Sequence, residues 1–425
     1  MRCTSSWRPH SRCGWSPPTA AWVRCPWSMW WSVRTPLLVN PGLKLAAMRS
    51  SALVLLTLLL TTCACGGGQT SGPTPRATAA TRATATPAPT PTPQAPLTLT
   101  GLFHAQGGPP GTSSHIRTLI ATGDVIPARL VNLEASRRGD YAWPFRPTAD
   151  FVKNADVTYI NLESPLLQGC VPDGRPSLNF CGDPRWTQGL QMIGTKVVNV
   201  ANNHVNSGRP VTETKALLEQ NGMQVTTDLG PPVVLDVRGL KIAFVGCRAV
   251  ENGSVDRAQL KAVIQQARQL AQIVVVQFHW GKEYERQPMV APGIAPDQPI
   301  ELGHLAIDAG ADLVIGNHPH WVQGVEVYHG HLITYAHGNY VFDQVNCFPG
   351  IGSDYRTYCS EDTRTSVIGT YTFYDDKLVA ASWKPTYTDT ALQTQWADPD
   401  RSQKVLKTME DASVQLAQGQ GEPTS

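Results

Sequence analysis

Carboxylates and imidazoles recur in this 425-residue chain at one kind of position, the end of an apolar run. Asp124 closes a run in Thr122-Gly123-Asp124, Glu163 follows another in Asn161-Leu162-Glu163, and Asn203 and His204 end a third in Asn202-Asn203-His204. His279 closes a fourth run, and His318-Pro319-His320 a fifth. Carboxylate oxygens mixed with imidazole nitrogens form the donor set of borderline divalent cations such as Mn, Fe and Zn. Taken singly, each residue has an ordinary role. An Asp after a strand caps a helix or shapes a turn, Asn202-Asn203 is a turn sequence, His204 reads as a capped surface residue, and a histidine such as His279 on an apolar strand end is usually a satisfied core residue. The pair around Pro319 is harder to dismiss, because proline holds the preceding residue extended and lets both rings be presented together. Five run ends carrying five donor sets predict a metal site for one or two divalent ions.

Those runs have the composition of strands. Residues 117–122, 157–162, 196–201, 273–278 and 312–315 are predicted strands, with helices over 212–220, 256–271 and 298–309. Strand and helix alternating, with strands apolar throughout, predict an α/β sheet buried on both faces. Hairpins are expected around Arg238-Gly239 and around 328–331, and a further strand pair, 367–374 and 378–385, turns at Asp375-Asp376-Lys377. The result is a layered α/β sandwich with antiparallel additions. In open α/β sheets ligands bind in the crevice at the carboxyl ends of strands, where the donor residues fall.

The chain ahead of this region reads differently. Residues 1–47 are rich in Trp, Arg, Pro and Cys without periodicity and are expected to be an extension outside the protein, with a second start at Met48. Residues 48–65 have the layout of a signal peptide with a lipobox-like end: Arg49, an apolar run over 53–60, then Cys63 and Cys65. That run is shorter than the roughly 20 residues that span a bilayer. Residues 66–98, rich in Thr, Pro and Ala, cannot bury apolar area and read as a disordered tether. The globular region is expected over 99–395, with a C-terminal helix and tail over 396–425. An extracytoplasmic place follows, at the outer face of the cell membrane on a lipid anchor or secreted. Cysteine usage agrees, since Cys170 with Cys181 and Cys347 with Cys359 are spaced for local disulfides, while Cys247 reads as a buried free thiol. Lys plus Arg number 35 against 33 for Asp plus Glu, so no overall field marks nucleic acid as a partner.

The ordered segments Ala121-Thr-Gly-Asp-Val125, Asn161-Leu-Glu-Ser-Pro165, Ala201-Asn-Asn-His204, His279-Trp-Gly-Lys-Glu283, Gly316-Asn-His-Pro-His320 with Gln323-Gly-Val-Glu326, and His337-Gly-Asn-Tyr-Val-Phe-Asp343 resemble the motifs of the CapA family of capsule (poly-γ-glutamate) synthesis proteins. That family resembles an outlying branch of the calcineurin-like metallophosphoesterases. The resemblance implies a layered α/β/β/α sandwich of the metallophosphoesterase type. It makes Asp124 a ligand of a first metal, Glu163 a bridge, His320 the completion of the first metal, and Asn203, His279 and His318 the ligands of the second. His204 would act as general acid or oxyanion stabiliser, and Glu283 as base, ligand or substrate contact. One departure stands out: phosphoesterases of this class begin with Asp-x-His, whereas Ile126 occupies the histidine position. The resemblance implies work on an anionic polymer such as poly-γ-glutamate, or on its carrier, beside other membrane capsule-synthesis proteins. The alternatives are an extracytoplasmic phosphoesterase for a small phosphoester and a non-catalytic polymer-binding module.

Overall fold

The computed structural model describes residues 97–104, 114–174, 180–205, 208–345 and 360–420. The extension over 1–47, the signal segment with Cys63 and Cys65, the tether up to residue 96 and the Cys347–Cys359 pair lie outside the described residues.

In chain order the first half forms α1 (Leu99–His104), β1 (Ile116–Val125), α2 (Arg129–Arg138), α3 (Arg146–Val152), β2 (Val157–Leu162), α4 (Thr187–Met192), β3 (Thr195–Asn199), α5 (Gly208–Gln220) and β4 (Gln224–Thr226). Next come β5 (Val233–Val237), β6 (Leu240–Arg248), α6 (Arg257–Leu270), β7 (Ile273–His279), α7 (Pro299–Asp308), β8 (Leu313–Asn317), β9 (Val325–Tyr328), β10 (His331–Thr334) and β11 (Asn339–Val341). The last part comprises α8 (Glu361–Arg364), β12 (Thr365–Tyr374), β13 (Lys377–Thr388), β14 (Thr394–Trp396) and α9 (Pro399–Gln420). Among the described residues no helix is long and apolar enough to cross a membrane.

The strands build two sheets. One has the order β14-β13-β12-β1-β2-β3-β4, with β11 also paired to β1, and the other β5-β6-β7-β8-β10-β9. In the first sheet β1 to β4 run parallel, with antiparallel β12 beside β1, and in the second β6, β7, β8 and β10 run parallel, with antiparallel β5 and β9 at the two edges. Side-chain alternation explains the layering. In β7, Ile273 and Val275 pack between the sheets, while Val274, Val276 and Phe278 pack outward on Leu260 and Ile264 of α6 and Leu302 of α7. In the other sheet, Tyr159 and Val197 face inward, and Ile160 and Val198 face outward onto Val131, Val152 and Leu190 of α2, α3 and α4. The order of layers is therefore α/β/β/α.

The predicted strands and helices recur within a few residues of their expected bounds, and the β5–β6, β9–β10 and β12–β13 hairpins turn where expected. The α/β/β/α sandwich implied by the resemblance is the architecture observed: the continuous apolar strands are buried on both faces and form two stacked sheets, where the strand pattern alone pointed to one, so the donor-bearing ends belong to β1, β2 and β3 of one sheet and β7 and β8 of the other. Inward and outward faces are both apolar in such strands, so their sequences do not distinguish a helix from a second sheet as the covering layer.

Candidate metal centre

Where the inward apolar rows run out, each strand puts a polar residue on the crevice face. Inward Tyr159 and Val197 are followed two residues on by Asn161 and Asn199. In the second sheet, Val275 is followed by Gln277 and His279, and Ile315 by Asn317. His279 and Asn317 are direct partners in the β7–β8 register. β1 reaches the same face through an irregularity. Ala121 pairs with Tyr159 but Asp124 with Asn161, three residues on β1 against two on β2. The extra residue reverses the alternation and turns Asp124 inward. Gly123 permits it, since a Cβ there would stand 2.1 Å from the Gly338 carbonyl, which accepts the Asp124 amide at 2.9 Å.

Asp124 is 1% exposed and held from three sides. Asn161 Nδ2 and Asn317 Nδ2 donate to its Oδ1 at 2.9 and 2.8 Å, and the His318 amide donates to Oδ2 at 3.3 Å. Burial alone would raise this carboxyl, but His320, His279 and Asn161 together bring it below the ordinary carboxylate value. His320 Nδ1 stands 3.5 Å from Asp124 Oδ2 and 2.8 Å from Asn339 Oδ1. Burial opposes its protonation, yet Asp124, Glu163 and Glu283 raise its pKa to about 9. A crevice that draws a proton onto a buried imidazole is short of positive charge.

Glu163 occupies the middle. Its Oε1 lies 3.3 Å from His279 Nε2 and 3.7 Å from His204 Nε2. Both carboxylate oxygens are buried without a hydrogen-bond partner, as is His318 Nδ1. Buried groups of this kind are costly unless something meets them. Burial, followed by the charges of His279, His320 and His204, holds His318 well below the ordinary histidine value, which leaves its nitrogen a free electron-pair donor. Glu163, His279 and His318 offer ligand atoms within 4.8 Å of one another, and so do Asp124, Glu163 and His320. These buried groups can hold a metal ion, and Glu163 is common to both.

The remaining expected residues gather at the rim. Asn203 Oδ1 lies 3.0 Å from His279 Nε2. His204 is partly exposed, and burial, the largest influence on it, lowers its pKa. Glu283, 40% exposed, stands 3.7 Å from His320 Nε2 and forms a third group with His318 and His320. Desolvation pushes its carboxyl up. The backbone reading of the histidine pair is corrected: His318 and His320 are not extended but have φ of 99° and 60°. Non-glycine residues in this region are strained, and such strain concentrates where a site dictates side-chain direction. Ile126 is wholly buried and packs with Ala128, Phe342 and Phe180, so an apolar contact stands at the position of the missing histidine. Asn161, Asn317 and Asn339, which orient Asp124 and His320, were not singled out in the sequence. Following each strand's inward residues to its last member would have found Asn161 and Asn317.

Two stacked sheets between helices, with buried carboxylates and imidazoles converging at the carboxyl ends of strands from both, define a layered α/β/β/α protein with a candidate metal centre. The chain belongs to the bacterial capsule synthesis protein PGA_cap family, whose model matches residues 118–344. It is 45% identical over 250 residues to the PGA biosynthesis protein CapA of Bacillus subtilis (strain 168), a match covering 52% of this chain and 62% of that one. It is 28% identical over 255 residues to the capsule biosynthesis protein CapA of Bacillus anthracis, covering 53% and 60%. The chain thus spans 60 to 62% of the length of these relatives. A solved structure of a hypothetical protein from Thermus thermophilus is 16% identical with a TM-score of 0.41, covering 63% of this chain and 98% of that one.

Proposed function

We propose that this protein works in the synthesis or surface handling of an anionic capsule polymer of the poly-γ-glutamate kind, through a divalent-metal centre at the crevice between its sheets. Family membership and the CapA relatives support the process. The observation that carries the site is Glu163, whose two carboxylate oxygens are buried beside four imidazoles without a hydrogen-bond donor.

Asp124, Glu163 and His320 would hold one ion, and Glu163, Asn203, His279 and His318 a second, with Mn, Fe and Zn the metals that suit this donor mixture. A divalent cation there supplies Lewis-acid polarisation and charge neutralisation to an oxyanion group. The protein's own parts do the rest. Asn161 and Asn317 fix the direction of Asp124, and Asn339 fixes the ring of His320. His204, at the rim and close to Glu163, would donate a proton or a hydrogen bond to the polymer or its carrier, and Glu283 would accept one.

We further place the globular region outside the cytoplasm, tethered by residues 66–98 to the outer face of the membrane near other capsule-synthesis proteins. The signal-like segment ending at Cys63 and Cys65 supports this, as does the Cys170–Cys181 disulfide, a bond that persists in oxidising compartments.

The test is elemental analysis of the purified protein, followed by assays on γ-linked glutamate chains and on a generic phosphodiester, with and without a chelator. Bound divalent metal and a chelator-sensitive interaction with γ-glutamate are expected. A protein that takes up no metal, or that turns over phosphodiesters while ignoring γ-glutamate, defeats the reading.

A further inference from the structure

Arg248 is the last residue of β6, in register with His279 of β7. On β6, Ile242 and Phe244 pack between the sheets, and Gly246 is the next inward position. A Cβ at Gly246 would stand 2.3 Å from Asn199 Oδ1 across the crevice. One further inward step is Arg248, so its side chain leaves the strand at the level of His279, on the same rim as the metal centre. That side chain is 11% exposed, and its Nε is buried without a hydrogen-bond partner.

Asp228 meets this need only as an ion pair: its Oδ2 is 3.8 Å from Arg248 Nε, beyond hydrogen-bond reach. The Asp228 oxygens already accept from the Arg248 main-chain N–H at 2.8 Å and from Asn252 Nδ2 at 3.1 Å. Burial is the largest influence on the Asp228 carboxyl and raises its pKa, while the main chain and side chain of Arg248 lower it. Asp228 also lines, with Asn202, Lys215, Glu219 and Thr227, a groove of about 480 Å³ beside α5. A chain lying there would pass both Asp228 and Asn202.

We propose that Arg248 anchors an oxyanion subsite beside the metal centre and takes a carboxylate of the polymer one or more units from the group at the metals. The planar guanidinium fork matches a carboxylate in two parallel hydrogen bonds, and a nearly buried one exchanges little water to do so. The inference rests on the function proposed above, and the test separates the two.

Metal-loaded full-length protein is titrated calorimetrically with tri-γ-glutamate and, separately, with inorganic phosphate, using wild type, Arg248→Gln and Arg248→Lys. Arg248→Gln is expected to weaken tri-γ-glutamate binding roughly 10- to 100-fold, the range of a charge-assisted hydrogen bond, with metal content unchanged. Arg248→Lys recovers only part of the loss, and it carries the test if the Gln variant does not fold. Equal binding of tri-γ-glutamate by variant and wild type overturns the subsite. So does loss of metal from both variants, which would make Arg248 a support of the centre. A loss confined to phosphate overturns the carboxylate assignment. Wild type that binds no tri-γ-glutamate removes the parent reading and the subsite together, whereas binding indifferent to Arg248 removes the subsite alone.

Discussion

The imidazole of His204 lies on the ring of Phe180, with centroids 4.0 Å apart and planes 24° from parallel. Phe180 immediately precedes Cys181, which is bonded to Cys170, and the next residue, Gly182, exchanges main-chain hydrogen bonds with Pro165 and Leu167. The rim histidine is thus backed by an aromatic wall that a covalent link holds in place.

Breaking that link tests its role. A Cys170→Ser/Cys181→Ser double variant closes no loop, and for a separation of 11 residues the expected loss is roughly 3 kcal/mol, read by denaturant unfolding. No member of the two main ligand groups lies in that loop, so metal content should hold. In the same variant the His204 ring protons should lose the shielding of the Phe180 ring by NMR. An unshifted His204 resonance would show that the disulfide has no hold on the wall.

Metal content should follow the ligand groups. His279→Ala removes a member of the group with Glu163 and His318 and should lower bound metal in elemental analysis, whereas Glu283→Gln leaves both groups containing Glu163 intact and should not. Unchanged stoichiometry in the purified His279→Ala protein would remove His279 from the centre.

Much of this arrangement was legible because buried parallel strands are apolar throughout, so a polar residue at their end stands out. Asp124, Glu163, His279 and the His318–His320 pair announced themselves in that way. What positions them did not. The irregularity in β1 that turns Asp124 inward is a property of pairing with β2, invisible in a single strand. Asn161 and Asn317 are amides of ordinary turn-forming type, and only convergence on one carboxylate gives them a role. The positive φ of His318 is imposed by the site against the preference that Pro319 sets locally. The short helices α2, α3 and α4 went unread because their apolar faces are carried by a few residues among Arg, Pro and Gly.

Acid sensitivity has a source outside the ligand groups, in a histidine that touches the strand carrying Asp124. His337 is fully buried, with Nε2 2.8 Å from the Tyr371 hydroxyl, and burial depresses its pKa to about 4. An unfolded histidine titrates near 6.5. Between these values the unfolded chain binds a proton that the native protein does not, so stability falls as the pH falls through this window and is restored above it. From pH 7 to pH 5 the loss from this residue is roughly 2 kcal/mol. Chemical denaturation of wild type and His337→Gln at both pH values should show the variant losing less, by about that amount. Parallel losses in the two proteins would assign the acid sensitivity elsewhere.

Glu163 carries the sharpest consequence, because the feature that suits it to a cation is a liability without one. Its carboxylate is buried with neither oxygen hydrogen-bonded, and a buried carboxylate without hydrogen-bond donors costs on the order of a few kcal/mol even beside the imidazoles of His279 and His320. Glu163→Gln removes the charge at nearly constant volume. In chelator-treated protein the variant should therefore unfold at a higher denaturant concentration than wild type, by about 1 to 3 kcal/mol. Metal reverses the order. A ligand that binds only the native state stabilises it in proportion to the logarithm of its concentration over Kd, and the variant has lost the residue common to both ligand groups. Added Mn or Zn should raise the wild-type midpoint and leave that of Glu163→Gln nearly unmoved. A variant less stable than wild type after chelation, or one that responds equally to metal, would place Glu163 in an ordinary structural role.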